Sequence, residues 1–340
     1  MIAIDGSMGE GGGQVLRTSL ALSAVTGKPF RIEGIRSKRR RPGLLRQHLT
    51  AVRAIAEVCG ARVTGDELSS LALTFEPHAV RHGEYRFAVG TAGSATLVFQ
   101  TVLPPLLAAE GRSRLIFEGG THNPMAPPFE FIVQTFLPLL HRMGASVAAE
   151  LERPGFYPAG GGRFTVEIAG GAPLERLALL ERGAIESVRV RAVVSQIPDH
   201  VATREVKVLA DQLADLPLSV ESARVEAAGP GNVVLVTIRA ASVTETFTGF
   251  GAVGVRAEKV AHRLAGEVRK YVAAGVPVGE HLADQLLLPL ALARGGGEFR
   301  TAAPSLHTRT NVAVIDRFLS RRVVIDERDG FVCKSPVCAS

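Results

Sequence analysis

Apolar residues recur at helical spacing along "GLLRQHLTAVRAIAEVCGARV" (43–63) and again along "PFEFIVQTFLPLLHRMGASV" (128–147). Both stretches end in Gly-Ala, at Gly60-Ala61 and Gly144-Ala145, just ahead of a new strand-like start. Glycine there suits a left-handed helix C-cap. Upstream of each lies a matching strand, "FRIEGI" (30–35) and "RLIFEGG" (114–120). Aligning Glu33 with Glu118 gives a period of 85 residues. The repeated unit reads strand, Gly-rich turn, helix, strand, loop, helix, strand. Its opening strand and turn are "MIAIDGSMGEGGG" in the first copy and "RFAVGTAGSA" (86–95) in the second.

A third copy is expected to open at "GRFTVEIAGG" (162–171). Its first helix follows only at "EHLADQLLLPLALARGGG" (280–297), then the strand "GEFRTAAP" and the helix "TNVAVIDRFL" (310–319). The intervening stretch has its own pattern, with strands at "ESVRVRAVVS", "NVVLVTIRAA" and "VTETFTGFG", and helices at "HVATREVKVLADQLAD" and "RAEKVAHRLAGEVRKYVAAG". The expectation is an α/β (α+β) chain. Residues 1–181 and 277–340 form a large three-repeat domain, and residues 182–276 a smaller inserted α/β domain. The repeat also places three equivalent loops, "RSKRRRPG" (36–43), "THNPMAPP" (121–128) and "SLHTRT" (305–310), where a pseudo-threefold packing brings them to one end. Loops on a rigid scaffold are where sites usually form.

Composition narrows the class. With 46% hydrophobic and 21% charged residues among 340, the chain is an ordinary folded protein that can bury a core without staples. Three cysteines, Cys59, Cys333 and Cys338, make neither a disulfide framework nor a four-ligand zinc site. Their sparseness fits a reducing cytoplasm. The start shows no basic, apolar leader, and no stretch of about 18 apolar residues free of charge marks a membrane span. A net charge of +6 and a pI near 9.6 favour a phosphate-rich partner, the plain alternative being a cationic surface that only aids solubility.

Candidate chemistry gathers in four stretches. "GEGGGQVLR" (9–17) is a glycine-rich turn opening a helix, whose N–H groups suit phosphate and whose Glu10 could hold a metal against it. It is not a Walker A loop, and "GFGAVG" (249–254) lacks the acidic residue that a dinucleotide fold needs. The run Arg36, Lys38, Arg39, Arg40, Arg41 and Arg46 offers guanidinium forks to phosphate oxygens. Asp284 and Gln285, near a helix start, either cap it or hold a ribose or base. His307 stands in the third loop, where a neutral imidazole can attack an activated phosphorus. "AIDG" (3–6) and "ERDG" (327–330) lack the lysine of K-x-D-G ligases, so a nucleotidyl transferase here needs another nucleophile.

"RPGFYPAGGGRF" (153–164), "EGGGQVLR", "HLADQ" (281–285) and "PSLHTRTN" (304–311) together resemble the RNA 3′-terminal phosphate cyclases along nearly the whole chain. The first segment looks like that family's signature. The resemblance implies three units of two helices on a four-stranded sheet, with a small domain inserted in the third. It implies ATP as co-substrate, a divalent ion (Mg or Mn) and an RNA bearing a 3′-phosphate as substrate. His307 matches the family's nucleophile, forming a histidine–AMP; AMP then passes to the RNA's 3′-phosphate, and the 2′-hydroxyl closes a 2′,3′-cyclic phosphate. Glu10 matches the metal position, Arg17 and Gln47 phosphate contacts, and Gln100 an ATP contact. Pro127 and His281 match the adenine sandwich, and Asp284 and Gln285 nucleotide contacts. Arg36 and Arg39 are the candidates for the RNA's terminal phosphate. The family often has tyrosine where this chain has His281; imidazole stacks on a base with less area. A homodimer is expected without a motif behind it.

Two other readings share parts of these features. A non-catalytic RNA-binding relative, acting as an assembly factor, would use the basic loop alone. An enolpyruvyl transferase has a fold resembling the repeats. Neither needs His307 together with Glu10 and "HLADQ".

Overall fold

The computed structural model describes residues 1–319, 323–327 and 331–335. Its first unit runs β1 (Ile2–Asp5), α1 (Gly13–Thr26), β2 (Phe30–Glu33), α2 (Arg46–Cys59), β3 (Arg62–Thr64) and β4 (Ala72–Glu76). The strands lie in the order β1-β2-β4-β3, with only β1 and β2 parallel. The second unit repeats this with β5 (Glu84–Ala88), α3 (Ala95–Ala108), β6 (Gly111–Gly119), a second helix over 129–142 that comprises α4 (Phe129–Phe131) and α5 (Leu137–Arg142), β7 (Ser146–Arg153) and β8 (Gly162–Gly170), in the order β5-β6-β8-β7. Inside that second helix, residues Ile132–Phe136 form a π turn.

The third unit corrects the expectation about where it opens. Residues 162–170 are not its first strand. They are β8, paired antiparallel to both β6 and β7. Alternation buries Phe164, Val166 and Ile168, and a closing strand alternates just as an opening one does. The third unit opens on β9 (Leu177–Leu179).

The chain then leaves the repeats for a fourth sheet, built from β10 (Ile185–Ser195), β11 (Leu218–Arg224), β12 (Gly231–Ala240) and β13 (Thr244–Phe250) in the order β11-β10-β12-β13. Helices α6 (His200–Gln212) and α7 (Ala257–Ala274) pack against it. The third unit resumes with α8 (Glu280–Leu292), β14 (Gly297–Thr301), α9 (Leu306–Phe318), β15 (Val324–Asp326) and β16 (Phe331–Ser335). Its strand order, β9-β14-β16-β15, is that of the other two units. The inserted segment therefore lies between the first strand and first helix of unit three.

Helices of each unit pack against those of the other two. One core joins them, with Leu20, Phe99 and Leu286 all buried in it. Helix α2 shows why the sequence folds this way: Leu49, Val52, Ile55 and Cys59 recur at three- and four-residue spacing and are buried on one face. The fourth sheet has a separate core, around Val190, Val236 and Leu264. Thr237 Oγ1 donates to Gln134 Oε1 at 3.1 Å and Thr135 Oγ1 to Thr246 Oγ1 at 3.0 Å, tying β12 and β13 to the π turn. Among the described residues no helix is long and apolar enough to cross a membrane. Cys59 and Cys333 are buried free thiols; Cys338 lies outside the described residues.

Candidate active site

The glycine-rich turn after β1 ends at Gly12, the N-cap of α1, which has no side-chain cap. Its first N–H groups therefore lack an intrahelical partner. A Cβ on Gly13 would stand 2.3 Å from His48 Nε2 and 2.9 Å from Arg17 Nη1, so glycine lets the helix start press against those bases. A Cβ on Gly12 would stand 3.0 Å from Arg39 Nη2. A helix N-terminus ringed by cations is a repulsive arrangement that an anion relieves. Burial, and then the neighbouring Arg36, pulls the Arg17 guanidinium down to about 10. Burial, then Arg17 and Arg36, pulls His48 down to about 3.

His48 is a stability sensor as a result. Its Nδ1 accepts from Leu45 N at 3.2 Å, a bond only the neutral ring can accept. The unfolded chain takes up this proton from about pH 6.5 downward, whereas the folded protein resists it. Stability is therefore lost as pH falls below about 6.5, by roughly 1.4 kcal/mol per pH unit from this group until about pH 3. Melting curves between pH 7 and pH 4 should show His48→Gln with a shallower acid loss than the wild type; parallel curves would contradict the assignment.

The third loop is shorter than the sequence suggested, because His307 lies in the first turn of α9, two residues after the N-cap Ser305. Ser305 Oγ accepts from Thr308 N at 3.1 Å, and this capping starts the helix at Leu306, four residues upstream of the stretch that reads as helical. His307 is half-buried. Its Nδ1 donates to Gln14 Oε1 at 2.9 Å, and its Nε2 is in contact with Glu10 Oε2. Glu10 also accepts from Arg39 Nη2. Burial holds the ring below the usual histidine range; Glu10 opposes this, while Arg39, Arg17 and His281 reinforce it.

Around His307 the three units interlock. Asp284 Oδ1 accepts from Thr308 Oγ1, and its backbone carbonyl accepts from Asn311 Nδ2 at 3.1 Å. Asn311 Oδ1 accepts in turn from Thr18 Oγ1 at 2.8 Å. Burial, with Thr308 opposing, pushes the Asp284 carboxyl up to about 7. Gln100 of α3 donates to Gln285 of α8.

A cavity of about 760 Å³ runs from here towards the fourth sheet. Of the residues singled out from the sequence, Glu10, Arg17, Gln100, Pro127, His281, Asp284, Gln285 and His307 line it, so each of the three units contributes to one site. Gln47, Arg36 and Arg39 do not. Gln47 Oε1 accepts from Ser94 N at 3.0 Å and anchors the start of α3. Arg36, at φ +53°, turns its Nη1 onto the carbonyls of Arg41 and Gly43 and so folds the basic loop on itself. Arg39 reaches the site through Glu10.

Sequence reasoning missed Gln14, Thr18, Thr308 and Asn311. Gln14, Thr308 and Asn311 sit inside the stretches already quoted, but only the meeting of α1, α8 and α9 gives them partners. The "RPGFYPAGGGRF" segment does not line the cavity. It forms the turn between β7 and β8, where a Cβ on Gly155 would lie 2.3 Å from Gly162 N. Gly155 O accepts from both Thr121 N and His122 N, so the segment shapes the Pro127 loop from behind. No cluster of three or more His, Cys, Asp or Glu side chains suited to a metal occurs among the described residues. A divalent ion would fit as one shared between Glu10 and ligand phosphates, the mode Mg²⁺ favours.

Residues 8–325 match the family profile described as "RNA 3′-terminal phosphate cyclase". The chain is 51% identical over 333 residues to the RNA 3′-terminal phosphate cyclase of Koribacter versatilis (strain Ellin345), covering 97% of this chain and 93% of that one. It is 50% identical over 319 residues to the protein of the same name from Salmonella agona (strain SL483), covering 94% and 92%. A likeness to the solved enolpyruvyl transferase NikO from Streptomyces tendae covers 98% of this chain and 65% of that one, at 13% identity and a TM-score of 0.29, and carries no conclusion.

Proposed function

The chain belongs to the RNA 3′-terminal phosphate cyclase family, and on that premise we propose that it closes RNA 3′-phosphates to 2′,3′-cyclic phosphates through a covalent AMP on His307, using ATP in the cytoplasm. In the first step His307 Nε2 attacks the α-phosphorus of ATP; a nitrogen–phosphorus bond forms and pyrophosphate leaves. In the second, an oxygen of the RNA's 3′-phosphate attacks the same phosphorus, freeing the histidine and making a phosphoanhydride. In the third, the neighbouring 2′-hydroxyl attacks the 3′-phosphorus and AMP departs.

The observation that carries this reading is the setting of His307. Gln14 Oε1 accepts from Nδ1–H, which makes Nε2 the nucleophilic nitrogen once Glu10 releases it. Burial, opposed by Glu10 and reinforced by Arg39 and Arg17, favours the uncharged ring. Phosphoryl chemistry needs mainly positioning and charge neutralisation, and the ring of Arg17, Arg39 and the α1 N-terminus supplies both. A divalent ion bound through Glu10 would neutralise developing charge on the phosphates. Glu10 in contact with Nε2 also requires a proton between the two groups, so engaging the carboxylate elsewhere frees the nucleophile.

Pro127 and His281 would flank the adenine, with Gln100, Asp284 and Gln285 along the nucleoside. Gln47 would offer its amide N–H groups to phosphate, and Arg36 and Arg39 would meet the RNA's terminal phosphate. A purely RNA-binding role leaves the His307–Gln14–Glu10 arrangement without a use. The direct test is incubation with α-labelled ATP and Mg²⁺ or Mn²⁺: the protein is expected to retain acid-labile label, and absence of label would overturn the covalent route.

A further inference from the structure

The inserted sheet meets the repeats along β13, and its deepest contact there is made by a carboxyl with no part in the chemistry above. Glu245 is 2% exposed. Its Oε2 accepts from Gly279 N at 3.1 Å. Gly279 is the N-cap of α8 and supplies no side-chain cap of its own. A Cβ on Gly279 would stand 3.1 Å from Glu245 Cδ, so carboxyl and helix start are packed together. Burial pushes this carboxyl up to about 8, with the Gly279 N–H pulling the other way. The group therefore acts chiefly as a neutral acceptor at pH 7.

The neighbours of Glu245 give the contact a direction. Next along β13, Thr246 is tied to the π turn through Thr135. Phe247 to Phe250 then line the cavity that holds His307. On the other side of the bond, the first two turns of α8 carry His281, Asp284 and Gln285. One strand thus touches the start of the helix, the π turn and the cavity wall.

We propose that Glu245 is a positioning residue: by accepting the Gly279 N–H it sets the placement of His281, Asp284 and Gln285 against the nucleotide, making the inserted sheet part of the ATP site. The inference deepens the nucleotide-binding reading of α8 given above and rests on it.

The test measures KM for ATP and the limiting rate of self-labelling in the full chain. Glu245→Gln keeps a carbonyl of the same reach and is expected to hold KM within about twofold of wild type, while Glu245→Ala raises it roughly tenfold with little change in limiting rate, as when a buried N–H loses its acceptor. A merely structural role would lower the melting temperature and the labelled fraction without moving KM. An unchanged KM in Glu245→Ala, or an equal rise in Glu245→Gln, overturns the proposal. If Glu245→Ala does not fold, Gly279→Ala presses a methyl against the carboxyl and is expected to raise KM in the same way; an unchanged KM there overturns it too. Wild-type protein that takes no label from ATP overturns the nucleotidyl-transfer reading and this inference together.

Discussion

His307→Ala is expected to take no label from α-labelled ATP and to lose cyclisation by at least about a thousandfold, or ~4 kcal/mol of barrier. The loss is chemical rather than structural. His307 sits half-buried in the first turn of a helix capped independently by Ser305, and alanine is the better helix former. Melting temperature should therefore stay close to wild type. His307→Asn sharpens the test, since its amide can still bond to Gln14 yet carries no nucleophilic nitrogen; it should fold and fail equally. Label retained by either variant would place the nucleophile elsewhere. An adduct on Glu10 instead would be recognised by its lability in base, where a histidine phosphoramidate is stable.

That outcome bears on how much of the site the sequence could show. The helices were legible because their apolar stripes are long: α2 buries one face at regular spacing. The three-unit repeat was legible because the same stripe and the same Gly-Ala ending recur. Where unit three begins was not. β8 and β9 both alternate, and only pairing with β6 and β7 assigns the first of them to unit two. The π turn at Ile132–Phe136 was hidden for a similar reason, since one extra residue in a helical turn barely disturbs an apolar pattern this dense.

At the site, residue types were readable but their partners were not. The sequence places His307 in a loop because the helical pattern starts only at Thr310, whereas Ser305 capping extends α9 to Leu306. The resemblance marks Gln47 as a phosphate contact, and the basic run marks Arg36 for the RNA's terminal phosphate. The fold also gives both an internal partner that the sequence does not show, Gln47 Oε1 at the start of α3 and Arg36 Nη1 on two carbonyls of its own loop, which leaves their other N–H groups for a ligand. Glu245 left no trace in the sequence at all. A glutamate on an alternating strand looks like a solvated residue, and only the approach of α8 makes it a cap.

An RNA ending in 3′-phosphate on a 2′-deoxyribose is expected to accept AMP and stop there. The first two steps need only the α-phosphorus of ATP, His307 and an oxygen of the terminal phosphate, and the deoxy end supplies that oxygen unchanged. The third step needs the 2′-oxygen as nucleophile. In a ribose end that oxygen is held beside the activated phosphorus, where effective concentrations of roughly 10⁵ M or more make closure fast with little help from the protein. The same reasoning predicts that the adenylylated intermediate is scarce with ribose ends and accumulates with deoxy ends. Labelled AMP should then migrate with the RNA, and that end should resist phosphatase only while AMP remains attached. Formation of a cyclic end from the deoxy substrate would exclude attack by the 2′-oxygen. Failure to transfer AMP to it would instead mean that the 2′-hydroxyl is recognised before activation, a task that would fall to polar groups of the cavity such as Asp284 and Gln285 rather than to the basic loop.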